Sequence, residues 1–320
     1  MPVVYVSDPI DEGVLRDLQS SADVRLGFGP DAVDYEDVSA EVEAVLLRTP
    51  PFTEEMIKAS PQLKVIARHG VGTDNVDLKA AQEAGVVVTS TPGANSRAVA
   101  EHVFALMLGL ARHVTEADRR VREGRWGDGK PELTGFQLAG RTLGIVGFGD
   151  IGRMVLTIAQ GFGMKVVISD PNLDEETVGD LDVPAVKLED LLRQADVVTL
   201  HAPLSSSTRD LIGRSELELM KPTAVLINTS RGGLVDEAAL MVALREQRLA
   251  GAGLDVVDGE DTDASDPLPH SRIDLDAPGL IVTPHIAGQT AESLEAMGTA
   301  AWKAIQDVLS GREPEHPVQP

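Results

Sequence analysis

The chain has 320 residues, which is enough for two domains at about 150 residues each. Apolar residues make up 42% of it and charged residues 25%, which favours folded cores over a disordered chain. The sequence contains no cysteine, so disulfides, thiolate metal sites and cysteine nucleophiles are excluded, and we expect no metal ion. The net charge of −23 repels phosphate groups, so nucleic acid and anionic membranes are poor partners.

Neither a signal sequence nor a membrane span is predicted. The segment Met1–Asp8 contains no basic region followed by a long apolar one. The apolar run Val103–Ala111 is too short to cross a bilayer. We therefore expect a soluble, cytoplasmic protein.

Short β-branched segments alternate with helical patterns in the first part of the chain. Thr53, followed by Glu55, resembles a helix cap. The predicted strands and helices here are Val3–Val6, Asp11–Ser20, Ala44–Leu47, Thr53–Ala59, Leu63–Ala67, Val76–Ala84 and Val86–Thr89.

A long helix is predicted from Ser96 to Arg112, and the glycine-rich segment Gly124–Pro131 after it predicts a loop. A second series of strands and helices follows. Its members are Thr142–Val146, Asp150–Phe162, Lys165–Ser169, Asp196–Leu200, Thr223–Asn228, Glu237–Glu246, Ala252–Leu254, Leu280–Val282 and the final helix Gln289–Ser310. Such alternation predicts an α/β protein with doubly wound parallel sheets.

A glycine motif, Gly-Phe-Gly-Asp-Ile-Gly, connects a predicted strand to a helix at Gly147–Gly152. The three glycines allow a tight turn, backbone approach to a pyrophosphate and close packing of the helix on the strand. A carboxylate at Asp170 ends the next strand, where it can bind ribose hydroxyls and repel the extra phosphate of NADP. The predicted dinucleotide contacts are Gly147, Gly149, Asp150, Ile151, Gly152 and Asp170, with the Asp150 side chain pointing to solvent.

A second glycine-containing segment, Gly27–Ala32, resembles this motif less well. The segment after it carries Asp34, Glu36 and Asp37, whose charges oppose a pyrophosphate. We interpret Gly27–Ala32 as a loop.

Several further motifs occur in a characteristic order around the glycine motif. They are Gly70-Val-Gly-Thr-Asp-Asn-Val-Asp77, Thr91-Pro-Gly-Ala-Asn-Ser96, Val99-Ala-Glu-His102, Asn228-Thr-Ser-Arg-Gly-Gly-Leu-Val-Asp236, Gly253-Leu-Asp-Val256 and Thr283-Pro-His-Ile-Ala-Gly288. With these motifs, nearly the whole chain resembles the NAD-dependent D-2-hydroxyacid dehydrogenases, and among them most closely the phosphoglycerate dehydrogenase branch.

This resemblance implies two Rossmann-like domains, with the cofactor domain inserted into the substrate domain. The expected boundaries are 1–96 and 285–320 for the substrate domain and 97–284 for the NAD-binding domain. The resemblance also implies NAD as the cofactor and a homodimer. Because the chain ends at residue 320, soon after its last predicted helix, we expect no regulatory domain.

Three residues match the catalytic positions of the family. His285 is expected to exchange a proton with the substrate oxygen, since imidazole titrates near neutral pH. Glu260 is expected to orient the ring, although Asp258 and Asp261 are close enough in sequence to take that role. Arg231 is expected to hold the substrate carboxylate through paired hydrogen bonds.

Further contacts with cofactor and substrate follow from the same resemblance. Asp255 would bind the nicotinamide carboxamide, and Ala202 would line the adenine side. The remaining expected cofactor contacts are Thr229, Ser230, Arg231, His285 and Gly288. The expected substrate contacts are backbone groups of Val71 and Gly72 together with the side chains of Arg48, Arg68 and Arg231.

The function expected from the sequence is reversible hydride transfer between NAD and C2 of a small anionic 2-hydroxy or 2-oxo acid. The pair 3-phosphoglycerate and phosphohydroxypyruvate is the first choice, because Arg48 and Arg68 match phosphate-contacting positions. Hydroxypyruvate and glyoxylate are the alternative, since Gly127 and Asp128 follow Trp126 where relatives often have a basic residue. Two other possibilities are a formate or phosphite dehydrogenase and a non-catalytic, NAD-sensing protein that resembles corepressors.

Overall fold

The computed structural model describes residues 1–127, 129–173, 183–260 and 271–319. The chain forms two compact units, of which unit 1 comprises Met1–Asn95 and Gly288–Pro320, and unit 2 comprises Ser96–Ala287. Unit 2 therefore interrupts unit 1 in sequence.

The first part of unit 1 alternates strands and helices. Its elements are β1 (Val3–Val6), α1 (Glu12–Ser21), β2 (Asp23–Leu26), α2 (Tyr35–Val38), β3 (Ala44–Leu47), α3 (Glu54–Lys58), β4 (Val65–Arg68), α4 (Leu78–Glu83) and β5 (Val87–Thr89). Helix starts are fixed by local hydrogen bonds: Asp77 accepts from Ala80 N, and the predicted cap Thr53 accepts from Met56 N.

Unit 2 begins with two consecutive helices and continues as a second α/β series. Its elements are α5 (Ser96–Ala111), α6 (Val114–Arg122), β6 (Thr142–Val146), α7 (Asp150–Gly161), β7 (Lys165–Ser169), α8 (Leu188–Gln194), β8 (Val197–Leu200), α9 (Arg214–Leu219), β9 (Val225–Asn228), α10 (Glu237–Arg245), β10 (Gly251–Leu254) and β11 (Leu280–Val282). All six strands are parallel, in the order β11-β10-β9-β8-β6-β7.

The chain then returns to unit 1 with α11 (Ala291–Leu309) and the short strand β12 (Pro317–Val318). The sheet of unit 1 has the order β12-β5-β4-β3-β1-β2, parallel except that β12 runs antiparallel to β5. Trp302 and Ile305 of α11 share a buried cluster with Val4 and Leu46 of the sheet, so the returning helix completes a core that the first residues begin. Two parallel-sheet α/β units confirm the predicted fold class.

Helix α6 was not predicted: the predicted helix ends at Arg112, the predicted loop begins at Gly124, and no element was assigned between them. The backbone of His113, between the two helices, adopts the left-handed conformation with φ of 51°. This conformation ends α5, and the chain changes direction before α6 begins. No residue of α6 is buried: its short apolar face, with Val114 and Val121, is exposed, and charged residues dominate the rest of the helix. Ion pairs along its surface, such as Arg122 with Asp118, support it instead.

The segment Gly27–Ala32 is irregular, as predicted, and no helix begins until Tyr35. It follows β2, which lies at the edge of its sheet. Among the described residues, no helix is both long enough and apolar enough to span a bilayer.

Among the described residues, His69 in unit 1 and His201 in unit 2 have lowered pKa values, which make folding sensitive to acid. The pKa of His69 falls from 6.5 to about 4, because of burial first and then the positive charge of Arg48. Burial lowers the pKa of His201 to about 3. Since both rings take up a proton more readily in the unfolded chain, their stabilisation is complete above pH 6.5 and is lost as the pH falls below it.

We expect the free energy of unfolding to fall by about 2 kcal/mol per buried histidine between pH 7.5 and pH 5. His69→Gln and His201→Gln should each remove their share of this slope, measured by urea unfolding at the two pH values. The exposed His316 provides the control, since His316→Gln should keep the parental slope. If all three variants lose as much free energy of unfolding between pH 7.5 and pH 5 as the parental protein, groups other than His69 and His201 cause the acid sensitivity.

Candidate active site

The glycine motif follows β6 at the point where the order of strands reverses between β6 and β8. Gly147 has φ of +87°, and a Cβ there would lie 2.6 Å from Ala202 N, so only glycine fits. A Cβ on Gly152 would lie 2.6 Å from the carbonyl oxygen of Gly147. Gly149 instead faces open space and begins α7, whose free N–H groups suit an anion.

Asp170 supports this loop from the end of β7. Its Oδ2 accepts a hydrogen bond from Phe148 N at 2.8 Å, and its Oδ1 accepts one from Asn172 N at 2.8 Å. The carboxylate therefore lies beside the glycine motif. Asp150 is exposed, as expected for a carboxylate next to a pyrophosphate site.

The ends of β8 and β9 bring several of the predicted cofactor contacts together. Ser230 Oγ donates to the carbonyl oxygen of Ala202 at 3.0 Å, which ties the segments after the two strands to each other. Thr229 is buried, and its hydroxyl has no hydrogen-bond partner among the described residues. Buried hydroxyls are normally paired, so Thr229 Oγ1 suits a polar group of a ligand.

Asp255, directly after β10, is buried and accepts hydrogen bonds from several donors. Thr283 Oγ1 donates to its Oδ1 at 2.6 Å, and Ile286 N and Ala287 N donate to its two oxygens at 2.9 and 2.7 Å. His102 Nε2 lies 3.0 Å from Thr283 Oγ1 and 3.5 Å from Asp255 Oδ1. Burial by itself raises the pKa of Asp255, but these donors outweigh it, so the pKa lies below its usual value.

His285 lies in the turn that this carboxylate holds. Its backbone is left-handed, with φ of 52°, and the next two N–H groups bind Asp255. Its Nδ1 donates to Oε1 of Glu260 at 2.6 Å, while Oε2 of Glu260 accepts from Val257 N at 3.4 Å. The structure thus places the predicted acid–base pair in contact.

Of the alternative acids, Asp258 pairs with Arg209 at 3.2 Å rather than with the histidine. Asp261 lies outside the described residues. Among the described residues, the partner of His285 is Glu260.

Arg231 follows β9 in the same unit. Its Nη1 donates to Ser230 O at 2.7 Å, and Asn228 Nδ2 donates to the carbonyl oxygen of Arg231 at 2.8 Å. The backbone on its other side is equally constrained, because a Cβ on Gly232 would lie 1.9 Å from the carbonyl carbon of Val257. The segments that carry Arg231 and Glu260 are therefore packed backbone against backbone.

In unit 1, Arg48 follows β3 and makes two hydrogen bonds to uncharged oxygens. Nη1 donates to Pro9 O at 2.7 Å and Nη2 to Gln289 Oε1 at 2.9 Å. Gly288, the last of the predicted cofactor contacts, precedes Gln289, and a Cβ there would lie 3.0 Å from Asn95 Nδ2.

Arg68 ends β4 and folds against the loop that follows it. Its Nε donates to Asn75 Oδ1 at 2.9 Å and its Nη1 to His69 O at 2.9 Å. Val71 in this loop is 45% exposed and Gly72 is partly exposed, so the loop lies at the surface of unit 1.

Sequence reasoning gave no role to His102, Thr283 or Glu237, which the structure places around the predicted pair. The motifs that contain or adjoin these residues were recognised, but no role was assigned to the three side chains. His102 and Thr283 belong to motifs quoted for the resemblance, and Glu237 directly follows a third. Their contacts join residues far apart in sequence, which no local pattern shows.

Comparison with known proteins identifies the family. Residues 104–287 match the NAD binding domain of the D-isomer specific 2-hydroxyacid dehydrogenases. The chain is 37% identical to a glyoxylate reductase from Thermococcus litoralis, with 99% of this chain and 96% of the relative covered. This chain belongs to the D-isomer specific 2-hydroxyacid dehydrogenase family. The predicted family membership is therefore confirmed, and residues 104–287 are its NAD-binding domain.

Two other comparisons show the range of the similarity. A D-3-phosphoglycerate dehydrogenase from Synechocystis sp. is 38% identical over 97% of this chain, but only 55% of the relative is covered. The chain thus spans about half the length of that relative. A solved structure from Thermus thermophilus superposes with a TM-score of 0.87 at 38% identity, covering 99% of both chains.

The described residues of the NAD-binding domain fit the dinucleotide. The open space at Gly149 leaves room for a pyrophosphate at the start of α7, and the unpaired hydroxyl of Thr229 provides a buried polar contact. The carboxylate of Asp170 disfavours the additional phosphate of NADP.

Proposed function

We propose that this chain is an NAD-dependent oxidoreductase that transfers hydride between NAD(H) and C2 of a small D-2-hydroxy or 2-oxo acid. The observation that carries the proposal is the 2.6 Å hydrogen bond between His285 Nδ1 and Glu260 Oε1. It joins a titratable ring to a carboxylate in the same unit as the dinucleotide loop.

Reduction of a 2-oxo acid requires a proton for the carbonyl oxygen, and NADH, when bound, supplies the hydride. Because Glu260 occupies Nδ1, the ring of His285 exchanges its proton through Nε2. The imidazole side chain is 48% exposed, so this nitrogen is accessible. Glu260 fixes the tautomer and stabilises the imidazolium, as the orienting acid does in other acid–base pairs.

Arg231 binds the substrate carboxylate in this proposal. A planar guanidinium forms two parallel hydrogen bonds with a carboxylate, which fixes both position and orientation. The carbonyl at C2 is then held relative to the nicotinamide, and such orientation lowers the barrier to transfer. The backbone N–H groups of Val71 and Gly72 are proposed as further carboxylate contacts.

For the substrate itself we propose the pair 3-phosphoglycerate and phosphohydroxypyruvate, with Arg48 and Arg68 as phosphate contacts. The two hydrogen bonds of Arg48 run to uncharged oxygens, so they do not neutralise its charge. In a chain of net charge −23, such a cation favours the local binding of an anionic substrate. The Synechocystis relative is named for this activity.

Hydroxypyruvate or glyoxylate is the second candidate, supported by a different observation. Two nitrogens of Arg68 already bind Asn75 and the carbonyl oxygen of His69, so Arg68 supports the loop that follows it. The Thermococcus relative, named a glyoxylate reductase, also matches this chain over nearly its full length.

A panel of 2-oxo acids tests the proposal through the loss of NADH absorbance. The panel contains phosphohydroxypyruvate, hydroxypyruvate, glyoxylate and pyruvate, each at low and high salt. Arg48→Gln should raise KM for phosphohydroxypyruvate by about 10-fold to 100-fold, because it removes a charge-assisted contact. The same substitution should leave KM for hydroxypyruvate within about 2-fold. Arg16, which is exposed and paired with Glu12, supplies the control Arg16→Gln.

Each outcome of the panel decides between the candidates. A preference for phosphohydroxypyruvate that Arg48→Gln removes supports the phosphate contact. A preference for an unphosphorylated acid leaves the proposed acid–base roles in place and favours the second candidate. Binding of NADH without turnover of any acid would contradict both and favour a non-catalytic sensor.

Homodimerisation and a cytoplasmic location stay predictions. The exposed apolar side chains of Val114 and Val121 on α6, and of Trp126 after it, support self-association through unit 2. Light scattering on the purified protein measures the mass directly.

A further inference from the structure

Glu237, the first residue of α10, carries a buried carboxylate that the proposed reaction does not use. Its Oε1 accepts from Asp258 N at 2.6 Å. Its Oε2 accepts from Ser271 Oγ at 3.0 Å and from Arg272 N at 2.9 Å. A buried carboxylate is costly unless it is hydrogen-bonded, and these three donors satisfy it.

The three donors all lie outside the helix to which Glu237 belongs. The N-terminus of α10 is capped by Asp236, whose Oδ1 accepts from Ala239 N at 3.0 Å. Capping therefore does not require Glu237. Its carboxylate instead binds Asp258 N, in the segment that continues from β10 to Glu260, and Ser271 and Arg272, in the segment that leads to β11.

The donor Asp258 N is two residues from Glu260. The turn Val257–Glu260 contains Gly259 at φ of +68°, and Val257 N binds the carboxylate of Glu260 itself. With Asp258 N fixed by Glu237, this short turn has little freedom to move the Glu260 side chain away from His285.

Other charged groups also pack around the histidine and this turn. Asp255 holds the backbone after His285 and has His102 beside it. Asp258 forms its ion pair with Arg209. Asp255 thus holds the backbone next to His285, and Arg209 binds the side chain of Asp258. Glu237 instead binds the backbone N–H of Asp258, within the turn that carries Glu260.

We infer that Glu237 is a positioning residue: by binding Asp258 N, it holds the carboxylate of Glu260 against Nδ1 of His285. The inference rests on the proposed function, in which that pair exchanges the substrate proton. Glu237 itself contacts neither member of the pair in any of its three hydrogen bonds.

Nuclear magnetic resonance of 15N-histidine-labelled protein tests the contact without any substrate. The Nδ1 proton of His285, bound to a carboxylate, should give a downfield signal that exchanges slowly with water, assigned by its loss in His285→Asn. Glu260→Gln should weaken the signal. Glu237→Gln should weaken it, because a neutral amide oxygen is a poorer acceptor for Asp258 N than a carboxylate. Glu237→Met, which has no oxygen to accept from Asp258 N, should broaden or remove it.

Glu216 offers a matched control in the same unit. Its Oε2 also accepts from a backbone amide, Gly213 N at 3.1 Å, at the start of α9. Glu216→Gln should lower stability without changing the His285 signal. An unchanged signal in Glu237→Met, or an equal loss in Glu216→Gln, would overturn the inference.

Kinetics provide the second readout. Glu237→Gln should lower kcat for the preferred 2-oxo acid by about 10-fold to 100-fold, as small misplacements of catalytic groups do. KM for NADH should stay within about 2-fold. If Glu237→Gln does not fold, Glu237→Asp keeps the charge one methylene short of Asp258 N and should show the same loss of signal. An unaltered signal in that variant would also reject the role.

Failure of the inference and failure of the proposed function give different results. Turnover by the parental protein, together with an unaltered His285 signal in Glu237→Met, rejects only the positioning role. Loss of the His285 signal in Glu237→Met, with no turnover of any acid by the parental protein, rejects only the proposed function.

Discussion

His285→Asn should lower kcat for 2-oxo acid reduction by about 10²-fold to 10⁴-fold, the range expected when a general acid is removed. The substitution deletes the ring that exchanges the proton in the proposed reaction. Asparagine is chosen because it tolerates the left-handed backbone that His285 adopts, with φ of 52°. Folding should therefore persist, and the free energy of unfolding, measured with urea, should stay within about 1 kcal/mol of the parental value.

Two further variants make this result specific. Glu260→Gln should lower kcat by a smaller factor, because it removes the orienting carboxylate and leaves the ring. His316→Gln should have the parental kcat, since His316 is exposed and lies in unit 1. An active His285→Asn enzyme would show that another group provides the proton.

Gly232→Ala should disrupt both Arg231 and Glu260, because the added Cβ would lie 1.9 Å from the carbonyl carbon of Val257 and 2.2 Å from Asp258 N. Backbone atoms at such distances cannot be relieved by a change of rotamer, so one of the two segments must move. We expect about 3 kcal/mol of destabilisation and a loss of more than about 100-fold in kcat/KM. Urea unfolding and steady-state kinetics measure the two effects.

The neighbouring glycine supplies the control for this prediction. The atoms nearest to a Cβ on Gly233 would be those of the Arg209 guanidinium, at 3.1 Å, and that group ends a flexible side chain. Gly233→Ala should therefore keep most of the stability and activity. Equal effects of the two substitutions would contradict a specific contact between the segments of Arg231 and Glu260.

The parts of the fold that could be predicted from the sequence are those with strong local signals. The strands Val3–Val6, Ala44–Leu47 and Thr142–Val146 are apolar and bounded by turns, and the structure has them with those bounds. The glycine motif combines a strand, a turn that requires glycine and a helix start within a few residues. Helix α6 was missed because it lacks a buried face, and pattern reasoning depends on one.

In the candidate site, too, the residues in recognisable motifs were predicted and the residues that support them through long-range contacts were not. His285 and Glu260 were expected to pair on the basis of the resemblance, and they lie in contact. The supporting groups were not predicted, because Glu237 and Asp258 are 21 residues apart and His102 and Thr283 are 181 apart. The roles of the site residues stay predictions until the variants are measured.

The division of unit 1 between the two ends of the chain has a consequence for protein synthesis. Val4 and Leu46 leave the ribosome early, but their cluster also contains Trp302 and Ile305 of α11, which are made after all of unit 2. All of unit 2 lies between them in sequence, so it can close its own core first. The apolar face of the nascent unit 1 sheet therefore stays only partly covered, by α1, until α11 has been made, and this is the period when chaperone protection matters most.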